Sequence, residues 1–160
     1  MRLTCQPNLW TCTPTSFAMV FGTPLKQVLE SIGHDGSKIE WPDEPEPKCR
    51  RGFHPQELVR LAHDLGYSAT PIELFPVLNN ISVVQEDYWA DTWSYFYSII
   101  QNNTGVIEGQ GHRCRHCVAY CNGYIYDPMG EIYPYSREAC ESRDFYTQCA
   151  WIVERGKYAV

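Results

Sequence analysis

Positive charge is scarce in this chain: 13 Lys and Arg stand against 19 Asp and Glu, a formal net charge of −6. A protein that grips a nucleic-acid backbone needs a basic surface to release counterions, so no nucleic-acid partner is expected. Nor is there any run near the ~18 consecutive apolar residues of a membrane-spanning helix, and no membrane partner is expected. Met1-Arg2-Leu3-Thr4-Cys5-Gln6-Pro7 lacks the apolar segment of a secretion signal, and no internal repeat is present. With nothing to direct export, the eight cysteines (5, 12, 49, 114, 117, 121, 140 and 149) are expected to be mainly reduced thiols of a cytoplasmic protein.

What remains is an ordinary compact composition, 44% hydrophobic, 14% aromatic and 20% charged over 160 residues. That length supports one domain with a real core and no comfortable second one, so a single domain over 1–160 is expected. Residues 38–53 carry three prolines and mixed charge, acidic at Asp43, Glu44 and Glu46 and basic at Lys48, Arg50 and Arg51. They read as a solvated loop insertion, with a lid over a cleft as the alternative.

Helical signals dominate the first half. Thr13 is a good cap and Pro14 suits a first helical position, with Phe17, Ala18, Val20 and Phe21 supplying an apolar face. Thr23-Pro24 starts a second helix with Leu25, Val28, Leu29 and Ile32 at helical spacing, closed by Gly33. A third runs from Pro55 to Leu65 with Gly66 as its stop. Tyr67–Leu74 is a strand, at a sheet edge because of Pro71. Residues 75–87 read as irregular. Tyr88–Asn102 fits a fourth helix, with Trp89, Trp93, Phe96, Ile99 and Ile100 near one face. The period then changes: Gly105–Gly109, His116–Cys121 and Tyr124–Asp127 are strands, Ser136–Arg143 a short helix and Phe145–Val153 a last strand. Helices first and a short antiparallel sheet afterwards define an α+β fold.

Two features carry chemistry. Cys12 falls at, or one residue outside, the start of a buried helix, where free N–H groups and the helix dipole favour an anion and hence a thiolate. The ordinary alternative is a small core cysteine. The second feature is a hairpin. Asn122-Gly123 between strand-like residues fixes a tight turn, because both positions take positive φ. Cys121 then faces Tyr124, Tyr120 faces Ile125, Ala119 faces Tyr126 and Val118 faces Asp127. His116 shares a face with Val118, which makes Asp127 its diagonal neighbour at about 7–8 Å between backbones, within reach of two polar side chains. An aspartate there holds the imidazole in one tautomer, the base-and-orienter half of a catalytic triad.

Gln6…Cys12-Thr13-Pro14-Thr15-Ser16-Phe17-Ala18-Met19-Val20 resembles the Gln…Cys-Gly-Pro-Ala-Ser-Leu-Ala-Met-Val start of the papain-like cysteine peptidases. His116-Cys117-Val118 and Asp127-Pro128 resemble the His-x-Val and Asp-Pro of small bacterial or phage peptidases related to bacteriocin leader-processing, double-glycine domains. The resemblance spans nearly the whole chain and implies a papain-like fold, N-terminal helices packed on a short antiparallel sheet. It implies Cys12 as nucleophile, His116 as general base and acid, Asp127 as orienter, and Gln6 as an oxyanion donor beside the Cys12 backbone N–H. The activity implied is hydrolysis of a peptide or isopeptide bond through a thioester, on a peptide or protein substrate and with no cofactor. Thr13 departs from the usual glycine after the nucleophile and narrows access to the sulfur. This motivates the alternative of a catalytically weak relative that binds a partner in its cleft, such as a phage or bacterial effector. His112, Cys114, His116, Cys117 and Cys121 form a thiol and imidazole cluster. Cys117 and Cys121 point away from His116 in the hairpin register, so no metal site is expected and both read as core thiols.

Overall fold

The computed structural model describes residues 1–73, 92–111 and 114–156. Leu74, the irregular stretch 75–87, the first turn of the predicted fourth helix with Trp89, and the loop residues His112 and Arg113 lie outside them. The described chain runs α1 (Cys12–Phe21), α2 (Leu25–Ile32), α3 (Pro55–Asp64), β1 (Tyr67–Glu73), α4 (Trp93–Asn102), β2 (Thr104–Gln110), β3 (Arg115–Cys121), β4 (Tyr124–Asp127), β5 (Glu131–Pro134), α5 (Arg137–Ser142) and β6 (Tyr146–Arg155). The fold is α+β: one six-stranded sheet in the order β1-β6-β2-β3-β4-β5, every pair antiparallel.

Alternation along the strands sorts the core into two layers. Val106, Cys117, Cys149, Trp151 and Val153 face one side, against Phe17, Ala18 and Phe21 of α1, Val28 of α2 and Leu58, Leu61 and Ala62 of α3. Ile107, Val118, Tyr120 and Ala150 face the other, against Phe96 and Ile100 of α4 and Cys140 of α5. Burying each such aliphatic or aromatic side chain contributes about 1.5–3 kcal/mol, which is what holds helix and strand segments of marginal intrinsic stability in place. Strands β2 and β6 approach closely at Gly105, where a Cβ would land on the Trp151 carbonyl oxygen; only glycine fits.

Two expectations change at the ends of elements. Helix α1 starts at Cys12, with Thr11 rather than Thr13 at the N-cap and Pro14 inside the first turn. The first turn tolerates proline because its N–H groups have no intrahelical partner anyway. Thr11 makes no side-chain cap bond, and its carbonyl instead accepts from Thr15 N at 3.1 Å and Thr15 Oγ1 at 2.7 Å. Strand β5 was not expected; it follows the turn at Asp127–Gly130 and takes up the outer side of β4. The hairpin register is Ala119 with Tyr126, Tyr120 with Ile125 and Cys121 with Tyr124, with Asn122 at φ 47° and Gly123 at φ 81°. The 38–53 loop is ordered by an Ile39–Arg50 bridge and by Arg51 N donating to Lys38 O at 2.7 Å. It folds back so that Pro47, Lys48 and Arg51 line a cleft at the tip of α1.

Candidate active site

Helix α1 packs on β3, pinned there by Ser16 Oγ donating to the Cys117 carbonyl at 2.9 Å. This contact sets Cys12, the first helical residue, beside the first residues of β3, where His116 lies. The His116 ring and the backbone N–H of Cys117 both act on the Cys12 thiol and favour its anion. His116 Nε2 lies 2.8 Å from Asp127 Oδ1, with both side chains largely out of solvent (19% and 12% exposed). With Nε2 engaged by the carboxylate, the other ring nitrogen, Nδ1, serves the thiol. Asp127 is itself held: Oδ1 accepts from Met129 N at 2.8 Å, and the Asp127 carbonyl accepts from Gly130 N at 2.9 Å. Phe145 stands edge-on to the imidazole, ring centroids 6.2 Å apart.

Electrostatics separate this thiol from the others. Burial works to raise Cys12, but the hydrogen bond and charge of His116, the Cys117 N–H and Thr13 outweigh it and hold the thiol below its ordinary value. The imidazole moves the opposite way. Burial works to lower it, yet the bonds and charges of Asp127 and Cys12 lift it to about 10. Both shifts act in the direction of a thiolate–imidazolium pair. Burial pushes the thiols of Cys49, Cys114 and Cys117 up, and those of Cys140 and Cys149 to about 12. All eight cysteines are free. Cys117 is buried and Cys121 accepts from Thr104 Oγ1 at 3.3 Å. Among the described residues no group of three or more His, Cys, Asp or Glu is placed to hold a metal ion.

Gln6 reaches the same neighbourhood from the N-terminal segment. Its backbone N–H donates to Pro128 O at 2.8 Å, fastening the segment to the turn just past Asp127. Its side-chain Nε2 donates to Asn8 O at 2.8 Å, which engages one of the two amide hydrogens, and Oε1 is buried without a partner. Thr13 Oγ1 lies 4.0 Å from the Cys12 sulfur.

Two hollows flank Cys12. One, ≈ 310 Å³, is lined by Cys12, His116, Phe53, Glu73, Glu108 and Gln148 among others. The second, ≈ 490 Å³, lies toward Trp10, Lys48, Arg51, Phe53 and Arg115. Sequence reading did not find the cleft walls. Glu73 and Glu108 look like surface residues of strands, and only the register across β1, β6 and β2 brings them to Cys12.

Comparison with solved structures agrees with the architecture. The chain superposes on a double glycine motif protease from an AMS/PCAT transporter, solved in complex with the leader peptide. The TM-score is 0.54 with 18% identity, over 96% of this chain and 91% of that one. No protein-family model matches the chain, and no curated protein matches it in sequence. The chain therefore shares the fold of that protease, in agreement with the papain-like α+β architecture expected from the sequence. No helix among the described residues is long and apolar enough to cross a membrane.

Proposed function

We propose that this protein is a cysteine-dependent hydrolase of peptide or isopeptide bonds, with Cys12, His116 and Asp127 as its triad. The observation that carries the reading is His116, which lines one hollow with Cys12 and has its Nε2 2.8 Å from the buried Asp127 carboxylate. The Cys12 thiolate attacks the substrate carbonyl carbon; a C–S bond forms and the oxyanion is met by the backbone N–H of Cys12 and the second amide hydrogen of Gln6. Imidazolium His116 gives its proton to the leaving nitrogen as the C–N bond breaks, leaving a thioester. Neutral His116 then takes a proton from water, which adds to the thioester carbonyl and releases the acid and the thiolate. Asp127 keeps the ring oriented throughout.

Iodoacetamide at neutral pH tests this directly. Mass spectrometry is expected to find Cys12 alkylated far faster than the other seven cysteines, and a peptide-like electrophile is expected to form its adduct there. Uniform labelling of the accessible thiols would overturn the reading. A second reading, a papain-like binding protein with slow turnover, is favoured by the Thr13 side chain beside the sulfur, and a Cys12→Ala variant retaining full biological activity would establish it.

A further inference from the structure

The sheet register places Glu73, Cys149, Glu108 and Cys117 in one row across β1, β6, β2 and β3: Glu73 pairs with Cys149, Cys149 with Glu108, and Glu108 with Cys117. Residues in such a row project to the same face. Cys117 and Cys149 pack under the N-terminal helices, so this is the face on which Cys12 sits. The two glutamates stand two strands apart, about 10 Å between backbones at the usual strand spacing. Both line the hollow that Cys12 and His116 also line.

Glu73 is exposed at the end of β1 and Glu108 is half-buried on β2, and each carboxylate has a partner. Trp151 Nε1 donates to Glu108 Oε1, fixing one oxygen and leaving the other for the hollow. The Cys149 thiol between the two strands bonds Glu73. Burial holds the Glu108 carboxyl above its ordinary value; the Trp151 bond and Arg115 offset this in part, and the charge of Glu73 adds to it. Arg115 is exposed, and His54 at the other wall completes the titratable groups lining the hollow besides the cysteines and His116. Two carboxylates that line one hollow, together with Arg115 and His116, leave a place for a further cation between them. At ≈ 310 Å³ the hollow has room for an arginine or lysine side chain.

We infer that this hollow is a specificity pocket for a basic side chain, Arg or Lys, carried by a substrate residue next to or one removed from the scissile bond, with Glu108 as its chief anion and Glu73 as the second. The inference rests on the proposed peptidase reading, because Cys12 and His116 line the same hollow. It also separates this chain's preference from small, uncharged residues at the cleavage site.

The test uses pairs of irreversible peptidyl acyloxymethyl ketones, Xaa-Gly and Gly-Xaa, in which Xaa is Arg or its neutral isostere citrulline. At one of the two positions the Arg reagent is expected to inactivate about tenfold or more faster, the usual worth of a charge-assisted hydrogen bond. In Glu108→Gln that advantage is expected to disappear. Glutamine still accepts the Trp151 bond, so a folded variant is expected, checked by thermal melting. Glu73→Gln is expected to reduce the advantage less. Equal rates for Arg and citrulline at both positions, or an Arg advantage undiminished in Glu108→Gln, overturn the inference. Rapid iodoacetamide labelling of Cys12 alongside indifference to charge would leave the peptidase reading standing. If Cys12 resists every electrophile, the peptidase reading falls. An NMR titration of the same protein with Ac-Arg-Gly-amide and Ac-citrulline-Gly-amide still decides the pocket: saturable shifts at Glu108 and Cys149 from the Arg peptide alone support it, and equal responses overturn it.

Discussion

His116 and Asp127 ride on neighbouring antiparallel strands, β3 and β4, of a six-stranded sheet, whereas Cys12 rides on the first residue of a helix with no side-chain cap. The strand pair is locked by its ladder, by the Asn122-Gly123 turn and by the Met129 N–H on Asp127. The helix tip is fastened through Ser16 to the Cys117 carbonyl and through Thr15 to Thr11. One side of the cleft sets position and the other sets reactivity. Moving the base requires breaking a register; changing the nucleophile requires only a different charge beside it.

Removing that charge is the sharpest way to break the contrast. In His116→Ala the influences that hold Cys12 down lose their largest member, and burial, which raises the thiol, wins. Iodoacetamide labelling of Cys12 at pH 7 is expected to fall steeply, and turnover of any peptide substrate by about 10²- to 10⁴-fold, while the far-ultraviolet spectrum and melting profile stay near wild type. Retained labelling would mean that the helix tip alone ionises the thiol.

Asp127→Ala acts one step further back. Burial alone would lower His116, and Asp127 is the first of the groups that instead lift it to about 10. Without it the imidazolium gives up its proton at lower pH. The rate rises with pH as Cys12 ionises and falls as His116 deprotonates, so the alkaline limb is expected near pH 10 in the wild type and below it in the variant. A pH–rate profile and an NMR titration of the ring check this, with a fall in rate of about 10²-fold at neutral pH. Asp127→Asn keeps an acceptor for Met129 N and is expected to lose less.

How legible these halves are in the sequence follows from the same contrast. The hairpin could be read because a turn chemistry confined to Asn-Gly fixes register, and register fixes which side chains meet; the His116–Asp127 juxtaposition needs no other part of the chain. The α1 boundary was less legible because Thr11 and Thr13 are equally good caps by type, and packing against β3 decides between them. Strand β5, four residues at an edge, offers too short a pattern. The walls of the cleft were illegible: Glu73, Glu108 and Arg51 reach it only through pairing and loop closure over long sequence separations. Gln6 lies between, its fastening to Pro128 a backbone contact that no side-chain pattern announces.

The smallest expected effect tests how rigid the sheet side is. At Gly109, where the β2–β6 register shifts, a Cβ would lie 2.6 Å from the Phe145 ring and 2.7 Å from the Tyr146 carbonyl. The carbonyl belongs to a paired strand, so the ring must give. Phe145 is buried and stands edge-on to His116, and a shift there presses on the imidazole. Gly109→Ala is expected to destabilise by about 1–3 kcal/mol, the usual cost of overpacking, or roughly 2–4 °C of melting temperature per kcal/mol. Turnover should drop less than in Asp127→Ala, because the Asp127 bond still aims the ring. A larger loss of turnover than of stability would show that Phe145, and not the strand ladder, positions the base.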